Sequence, residues 1–327
     1  MHISPSSWLK FGLFTVGLGQ SFVFVLVPPL ARDLGLTEIQ TSSIFAISAM
    51  AWALTSAYWG RASDKYGRRN IAILGLVGYA ISLIALITPL FLVEKNLLSV
   101  TLLFPALVLG RLINGLVGSA TRPASFAYVA DTSSEDKRTV KFARLESSFL
   151  LGTVAGPLLG GFLFLISNET PFYLFSFFAL IAALGIYKEL KPVNETKEKT
   201  EGNNKISWYS KSIYPFLIFA AILSLCQASL IQSIGFYITD LFGDLDNLPT
   251  LISMTFALLS ISTIVSQYLF TDAFPMKNFS LLTIGSILLV FSYFTMAFFQ
   301  SISFYYLSIM ILGLGFGMTR PALSSSL

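Results

Sequence analysis

Ten blocks of apolar residues, each near twenty residues long, run through this 327-residue chain and restrict what it can fold into. A bilayer core about 30 Å thick requires roughly 20 apolar residues in a helix that rises 1.5 Å per residue. A chain with 54% hydrophobic and 12% charged residues fits no soluble class. The sequence therefore predicts an all-α integral membrane protein. The predicted spans are 8–30, 39–60, 71–92, 99–128, 144–166, 171–188, 213–240, 249–271, 279–299 and 303–325.

The positive charges are distributed unevenly between the two ends of these spans. Lysine and arginine in short loops accumulate on the cytoplasmic side of a membrane. With the N-terminus in the cytoplasm, sixteen of the 21 cationic residues fall on that side, Arg32 and Lys95 fall outside, and Arg111, Arg122 and Arg320 lie within spans. The asymmetry predicts a multi-pass protein of the cytoplasmic (inner) membrane. Because the cations are spread over separate loops, they do not indicate nucleic-acid binding.

The residues that most often carry catalysis are scarce. His2 is the only histidine, and Cys226, the only cysteine, lies in a predicted span. Metal clusters of His and Cys, and any nucleophile activated by His, are therefore excluded. We expect no enzyme, no bound metal and no cofactor.

The most specific motif is the segment Gly60–Arg69, which reads GRASDKYGRR between two apolar blocks. It fits the pattern G-x-x-x-D-[RK]-x-G-R-[RK] and so resembles the loop between helices two and three of the major facilitator superfamily of secondary transporters. An ordinary cytoplasmic turn would explain the cations but not the glycines and the single aspartate at this spacing. Gly60 and Gly67 are expected to permit close helix approach and a tight turn.

The resemblance implies a role for this segment. In the family the loop forms a charge network with a carboxylate at the cytoplasmic end of helix four, which Asp131 matches here, and the network helps hold one conformation. The expected conformational-switch residues are Gly60, Asp64, Lys65, Gly67, Arg68, Arg69 and Asp131.

The chain also repeats itself. Residues 115–124 read GLVGSATRPA and residues 313–322 read GLGFGMTRPA, with an identical Thr-Arg-Pro-Ala tetrad 198 residues apart. Gln20 in span one likewise recurs as Gln227 in span seven, as expected for parallel repeats of a transporter. The predicted domains are a six-helix N-terminal bundle (1–190), a polar cytoplasmic linker (191–212) and an incomplete C-terminal bundle of helices seven to ten (213–327).

Two six-helix halves would make twelve helices, but the chain stops at Leu327, at the end of the tenth span. The resemblance is therefore to a twelve-helix drug:proton antiporter that lacks its last two helices. We expect a fragment or a truncation rather than a natural ten-helix transporter, and an inactive remnant is one alternative.

Span four contains Arg111 and Asn114-Gly115, which resemble the family's R-x-x-[QN]-G element. A guanidinium near the bilayer centre costs roughly 2.5–3.5 kcal/mol even on insertion scales, so we expect it to face a water-filled cavity or a partner. The resemblance associates this arginine with proton transfer. The alternative is a structural arginine whose N–H groups bond to carbonyl oxygens of neighbouring helices.

Two further arginines are candidates for substrate binding. Arg122 follows Arg111 by eleven residues, about 20° past three full helical turns, and should point the same way. Arg320 occupies the matching place in the repeat. We hypothesise that Arg122 and Arg320 bind the negative end of a substrate near the cytoplasmic mouth; the alternative is that both snorkel to the interface.

Span five carries G-x-x-x-G-P-x-x-G-G, a pattern that the family shows in helix five of its antiporters. The residues are Gly152, Gly156, Pro157, Gly160 and Gly161. Glycines four apart share a face and let another backbone approach closely, so a general packing seam is the alternative interpretation.

Proton coupling usually needs a carboxylate within the membrane, and the middle of every predicted span lacks one. Glu146, about one turn inside span five, is the best candidate; pairing with Arg144 or Lys141 at the surface is the alternative. Gln20 and Gln227 are candidate substrate contacts or interhelical hydrogen-bond partners.

Together these features predict a major facilitator bundle with a six-helix N-terminal half and four helices of the C-terminal half. The expected function is export of a small organic molecule, a drug or a metabolite, by proton antiport with alternating access. Export of an anionic metabolite such as a siderophore is the alternative within transport. The expected partners are a small-molecule substrate, protons and the lipid bilayer, with no nucleic acid and a monomeric protein.

Overall fold

The computed structural model describes residues 5–192, 214–242, 248–273 and 276–326. These ranges hold eleven α-helices and no strand, so the all-α prediction is confirmed. The helices are α1 (Pro5–Asp33), α2 (Glu38–Tyr66), α3 (Arg68–Glu94), α4 (Val100–Leu116), α5 (Thr121–Asp131), α6 (Glu135–Phe164), α7 (Thr170–Glu189), α8 (Tyr214–Phe242), α9 (Leu248–Gln267), α10 (Asn278–Phe298) and α11 (Ile302–Ser326).

Each predicted span coincides with a helix, and α4 and α5 together form the fourth span. Within the described ranges, eight helices are long and apolar enough to cross a membrane. Spans two and eight are helical but are not among these eight helices. The apolar helix in span eight is shorter, Met254–Phe270. Span two is rich in serine, threonine and alanine, which lowers its hydropathy.

The chain divides into two compact units, Met1–Glu198 and Lys199–Leu327, called here the N-terminal and C-terminal units. The predicted linker lies outside the described residues except for Lys191 and Pro192.

The N-terminal unit is built around α1 and α3. Helix α1 packs most extensively against α6, and α3 packs against α4 and α7. Phe22 of α1 lies at the centre of this core, with its ring centroid 4.9 Å from that of Phe172 and 5.5 Å from that of Phe175 in edge-on contacts. Such contacts add to the hydrophobic gain from burying large rings.

In the C-terminal unit, α11 packs against α9 and α10. The repeat is visible in how equivalent glycines pack. A Cβ on Gly115 would collide with the carbonyl oxygen of Ser48 on α2, and a Cβ on Gly313 would collide with that of Leu259 on α9. Each glycine therefore lets the fourth helix of its half approach the second helix closely.

The fifth apolar span begins at Arg144, as predicted, but the helix that contains it begins earlier. Helix α6 starts at Glu135, nine residues before the predicted residue 144, because a charged segment continues the helix beyond its apolar part. Lys141, which precedes the predicted span, is therefore a helical residue. Glu146 lies about three turns inside α6 but, as predicted, within about one turn of the start of the apolar span.

Candidate functional site

The segment Gly60–Arg69 is almost wholly helical, whereas the sequence predicted a loop. Helix α2 continues to Tyr66 and α3 begins at Arg68, so Gly67 alone separates them. Gly67 has φ +89° and ψ 131°, a conformation that residues with a Cβ rarely adopt. The predicted tight turn is thus formed by one glycine.

Gly60 does not have the packing role that we expected. A Cβ built at this position would meet no atom within 4 Å. Its carbonyl oxygen instead accepts a hydrogen bond of 3.3 Å from Nη1 of Arg68.

Arg68 is the centre of a charge network at the junction of α2 and α3. Its guanidinium forms an ion pair with Asp64, one turn earlier, and its Nε lies 3.0 Å from Oδ2 of Asp131 at the end of α5. Nη1 also donates to the hydroxyl of Ser63 at 2.6 Å. The Arg68 side chain is only 18% exposed, so these charge-assisted bonds are partly shielded from water. The structure therefore brings together Asp64, Arg68 and Asp131.

The two other predicted cations of this segment lie apart from that network. Arg69 donates through Nη1 to the carbonyl oxygen of Leu190 at 3.1 Å, and its guanidinium lies 4.9 Å from the centre of the Tyr187 ring. Lys65 is exposed, with its ammonium 5.3 Å from the centre of the Tyr66 ring.

The fourth span is broken, where the sequence predicted one continuous helix. Helix α4 ends at Leu116, a 3₁₀ turn covers Gly118–Ala120, and α5 begins at Thr121. Side chains of α2 donate hydrogen bonds to backbone carbonyl oxygens near the break. Ser48, Thr55 and Trp59 donate to the carbonyl oxygens of Arg111, Gly115 and Leu116 at 2.8, 2.9 and 2.6 Å, respectively.

Arg111 lies in α4 and is 1% exposed. Its guanidinium carbon is 5.5 Å from the centre of the Phe24 ring and 5.4 Å from that of Phe45, within the range of cation–π attraction. In the described part of the chain, Nε and Nη1 have no hydrogen-bond partner. The alternative in which carbonyl oxygens satisfy this arginine does not hold for these two nitrogens. The Oδ1 atom of Asn114, one turn later, is likewise buried without a partner among the described residues.

Arg122 has different surroundings from Arg111. Its Nη2 lies 2.5 Å from Oε2 of Glu146 on α6, and the two side chains are 41% and 38% exposed. The rings of Phe126 and Phe149 lie 5.8 and 5.1 Å from the guanidinium carbon. The sequence suggested Arg144 or Lys141 as the partner of Glu146. In the structure its partner is Arg122. The interruption at residues 118–120 also means that turn-counting does not fix the relative directions of Arg111 and Arg122.

Arg320 and Gln227 meet in the C-terminal unit, where Nη2 of Arg320 donates to Oε1 of Gln227. Gln20, the counterpart of Gln227 in the repeat, is partly buried on α1. The two repeated arginines therefore have different partners.

The glycine-proline element of span five forms the contact between α6 and α1. A Cβ on Gly152, Gly156 or Gly160 would collide with α1; the groups it would meet are the carbonyl oxygens of Phe14 and Leu18 and the ring of Phe22. Gly161 is buried beside them, and Pro157 lies within the helix. These residues let the two backbones pack closely.

Comparison with known proteins agrees with this architecture. The family profile of the Major Facilitator Superfamily matches residues 9–327. The chain belongs to the major facilitator superfamily. It is a multi-pass membrane protein and a secondary transporter of small molecules rather than an enzyme.

Individual members of the superfamily resemble the chain at modest sequence identity. The quinolone resistance protein NorA of Staphylococcus aureus (strain MSSA476) is 26% identical over 330 residues, which cover 97% of this chain and 79% of NorA. The class B tetracycline resistance protein of Escherichia coli is 27% identical over 200 residues, 60% of this chain and 47% of that protein. A bacterial homologue of the human lysosomal transporter Spinster, inward-facing and unoccupied, superposes with a TM-score of 0.73 at 14% identity, over 98% of this chain and 74% of the homologue. This last likeness shows the fold alone.

Sequence reasoning missed three residues that lie at the candidate sites of this superfamily member. Phe24 and Phe45 contact Arg111 from α1 and α2, and Ser63 bonds to Arg68. Ser63 could have been found, because it precedes Arg68 by five residues inside a recognised motif. The two phenylalanines carry no such signal, since 30 phenylalanines occur in the chain.

Proposed function

We propose that the chain is a proton-coupled exporter of a small organic molecule, working by alternating access in the cytoplasmic membrane with its N-terminus inside. The observation that carries the proposal is the ion pair of Arg122 and Glu146. A carboxylate within the spans is the group that proton coupling needs. Charged residues at membrane depth are rare and tend to mark substrate or proton pathways.

In this proposal, protonation of Glu146 is the coupling event. The carboxylate is partly exposed, so a proton can reach it, and its charged form is held by Arg122. A neutral Glu146 no longer attracts the guanidinium, so proton uptake would release Arg122. The pair would then act as a switch with two arrangements, one for each protonation state.

The network of Asp64, Arg68 and Asp131 would stabilise one conformation of the transport cycle. Three side-chain acceptors on two helices converge on Arg68: the Asp64 and Ser63 side chains of α2 and the Asp131 carboxylate of α5. Breaking and remaking these bonds would couple the ends of α2 and α5. The glycines of α6 would supply the close contact with α1 that the antiporter pattern implies.

The substrate class rests on the names of relatives. NorA is a quinolone resistance protein, and the class B relative is a tetracycline resistance protein. We therefore propose that this chain exports drug-like aromatic compounds of the same kind.

Export of an anionic metabolite is the second candidate, favoured by the unpartnered N–H groups of Arg111 and by the arginines of the repeat. The two candidates differ in how substrate and proton affect each other. An anion bound to Arg122 would displace Glu146 and so promote its protonation, whereas a cation would compete with the proton for Glu146. Anion binding should therefore strengthen as the pH falls, and cation binding should strengthen as it rises.

Transport into inverted membrane vesicles tests the proposal. Vesicles that contain the 327-residue chain should accumulate a fluorescent quinolone when their interior is acidified, and a proton ionophore should abolish the accumulation. Glu146→Gln should abolish it, whereas Glu94→Gln, at an exposed carboxylate elsewhere, should not. Accumulation that does not depend on the pH gradient, or that persists in Glu146→Gln, would overturn the proposal.

A further inference from the structure

Two phenylalanine rings from different helices lie beside Arg111, the most deeply buried charged residue among those described in the N-terminal unit. The ring centroids of Phe24 on α1 and Phe45 on α2 are 5.0 Å apart at an interplanar angle of 51°. The guanidinium carbon of Arg111 on α4 lies about equally far from both. Arg111 and Phe45 are each 1% exposed, and Phe24 is partly buried.

These rings interact with Arg111 differently from a carboxylate or a carbonyl group. The negative face of an aromatic ring attracts a cation without accepting its N–H groups in ordinary hydrogen bonds. In the described residues, no ion pair includes Arg111, and its Nε and Nη1 remain without acceptors. The charge is therefore stabilised while two donors stay available.

We propose that Phe24 and Phe45 are positioning residues: together they form an aromatic clamp that holds the Arg111 charge between α1, α2 and α4 by electrostatic attraction. The clamp keeps Nε and Nη1 available for an acceptor that binds during transport. Its link to transport rests on the proposed function, but the clamp itself concerns only the folded N-terminal unit.

Simple packing is the competing explanation, because two large rings also fill space. Substitution by leucine would change packing and electrostatics together. Fluorination separates them: successive fluorine atoms on a phenylalanine weaken the negative face of the ring and change its shape little. A cation–π role predicts an effect that grows with each fluorine, and packing predicts none.

The test replaces Phe45 in the full chain with mono-, di- and trifluorophenylalanine and measures the melting temperature of the purified protein. We expect a graded fall, on the order of 2–4 °C at full substitution. The control is the same series at Phe256, which is 4% exposed on α9 and has no aromatic or cationic neighbour among the described residues. That series should be flat. In an Arg111→Met background, the series at Phe45 should also become flat.

Three results would overturn the clamp: no gradation at Phe45, an equal gradation at Phe256, or a gradation that persists in Arg111→Met. Transport of the fluorescent quinolone, measured on the same variants, should decline in the same order as the melting temperature. Because the melting series needs no transport, loss of proton-driven export would reject the proposed function without touching the clamp. A flat melting series in a protein that still exports would reject the clamp alone.

Discussion

Nη2 of Arg122 lies 2.5 Å from Oε2 of Glu146, an ion pair that joins the Thr-Arg-Pro-Ala tetrad of the fourth span to the fifth span. The same tetrad in the C-terminal unit places Arg320 against Gln227, a neutral side chain of the seventh span. The repeated arginine thus contacts the carboxylate of Glu146 in one unit and the side-chain amide of Gln227 in the other. The Arg122–Glu146 ion pair is the basis for the proposal that the first half carries proton coupling.

Replacing Arg68 by lysine should impair transport more than binding. Lysine keeps the charge but cannot reach Ser63, Asp64 and Asp131 with the geometry of a guanidinium. Losing one charge-assisted bond of about 1.5–3 kcal/mol corresponds to a roughly tenfold or greater change in a conformational equilibrium. We expect a transport rate at least about tenfold lower with quinolone affinity within about twofold. Arg61→Lys, an exposed cation of the same segment, is the control, and an equal loss there would contradict the assignment.

Alanine at Gly156 should destabilise the protein, and alanine at Gly60 should not. A Cβ at position 156 would collide with α1 backbone, and overpacking of this kind costs typically about 1–3 kcal/mol. A Cβ at position 60 would meet open space, and alanine favours a helix over glycine by up to about 1 kcal/mol. Thermal unfolding of the two purified variants checks the contrast. Similar melting temperatures would show that the α1–α6 contact is not as close as described.

Gly67→Ala should strain the junction between α2 and α3. The backbone at φ +89° is unfavourable for a residue with a Cβ, at a cost of order 1–3 kcal/mol. We expect a lower melting temperature. We also expect weaker bonds from Arg68, the next residue, to Asp64 and Asp131. Gly35 has a similar φ of +96° at the turn after α1 and provides the matched comparison. Its replacement by alanine should cost stability without affecting the Arg68 network.

Cysteine labelling should place the junction of α2 and α3 in the cytoplasm. In a Cys226→Ser background, Lys65→Cys should react with a membrane-impermeant reagent only in inverted vesicles. Glu94→Cys, at the opposite end of α3, should react only in intact cells. The reverse pattern would refute the proposed orientation and the export direction with it.

Much of the fold was predictable because bilayer thickness imposes a length on apolar segments. The helix boundaries were less predictable, since apolarity reports only the part of a helix that lies in lipid. Helix α6 therefore begins nine residues before its apolar segment, and the break at Gly118–Ala120 lies inside an apolar block.

The site was predictable where a contiguous motif encodes it. Spacing within the basic segment led to Asp64 and Arg68, and the family resemblance added Asp131. The pairing of Arg122 with Glu146 joins residues 24 apart on consecutive helices, and helix packing decides it. Sequence neighbours suggested Arg144 and Lys141 instead. The only available signal was that both charges lie toward the same end of adjacent spans.

Proton release on substrate binding is the most direct test of the assignment of Glu146. Purified protein in weakly buffered detergent solution, assayed over a series of pH values, should release protons when a cationic quinolone or dye binds. Glu146→Gln should bind the compound without that release, and Glu94→Gln should behave as the wild type does. Equal release from the wild type and from Glu146→Gln would contradict the account, because another group would then carry the proton.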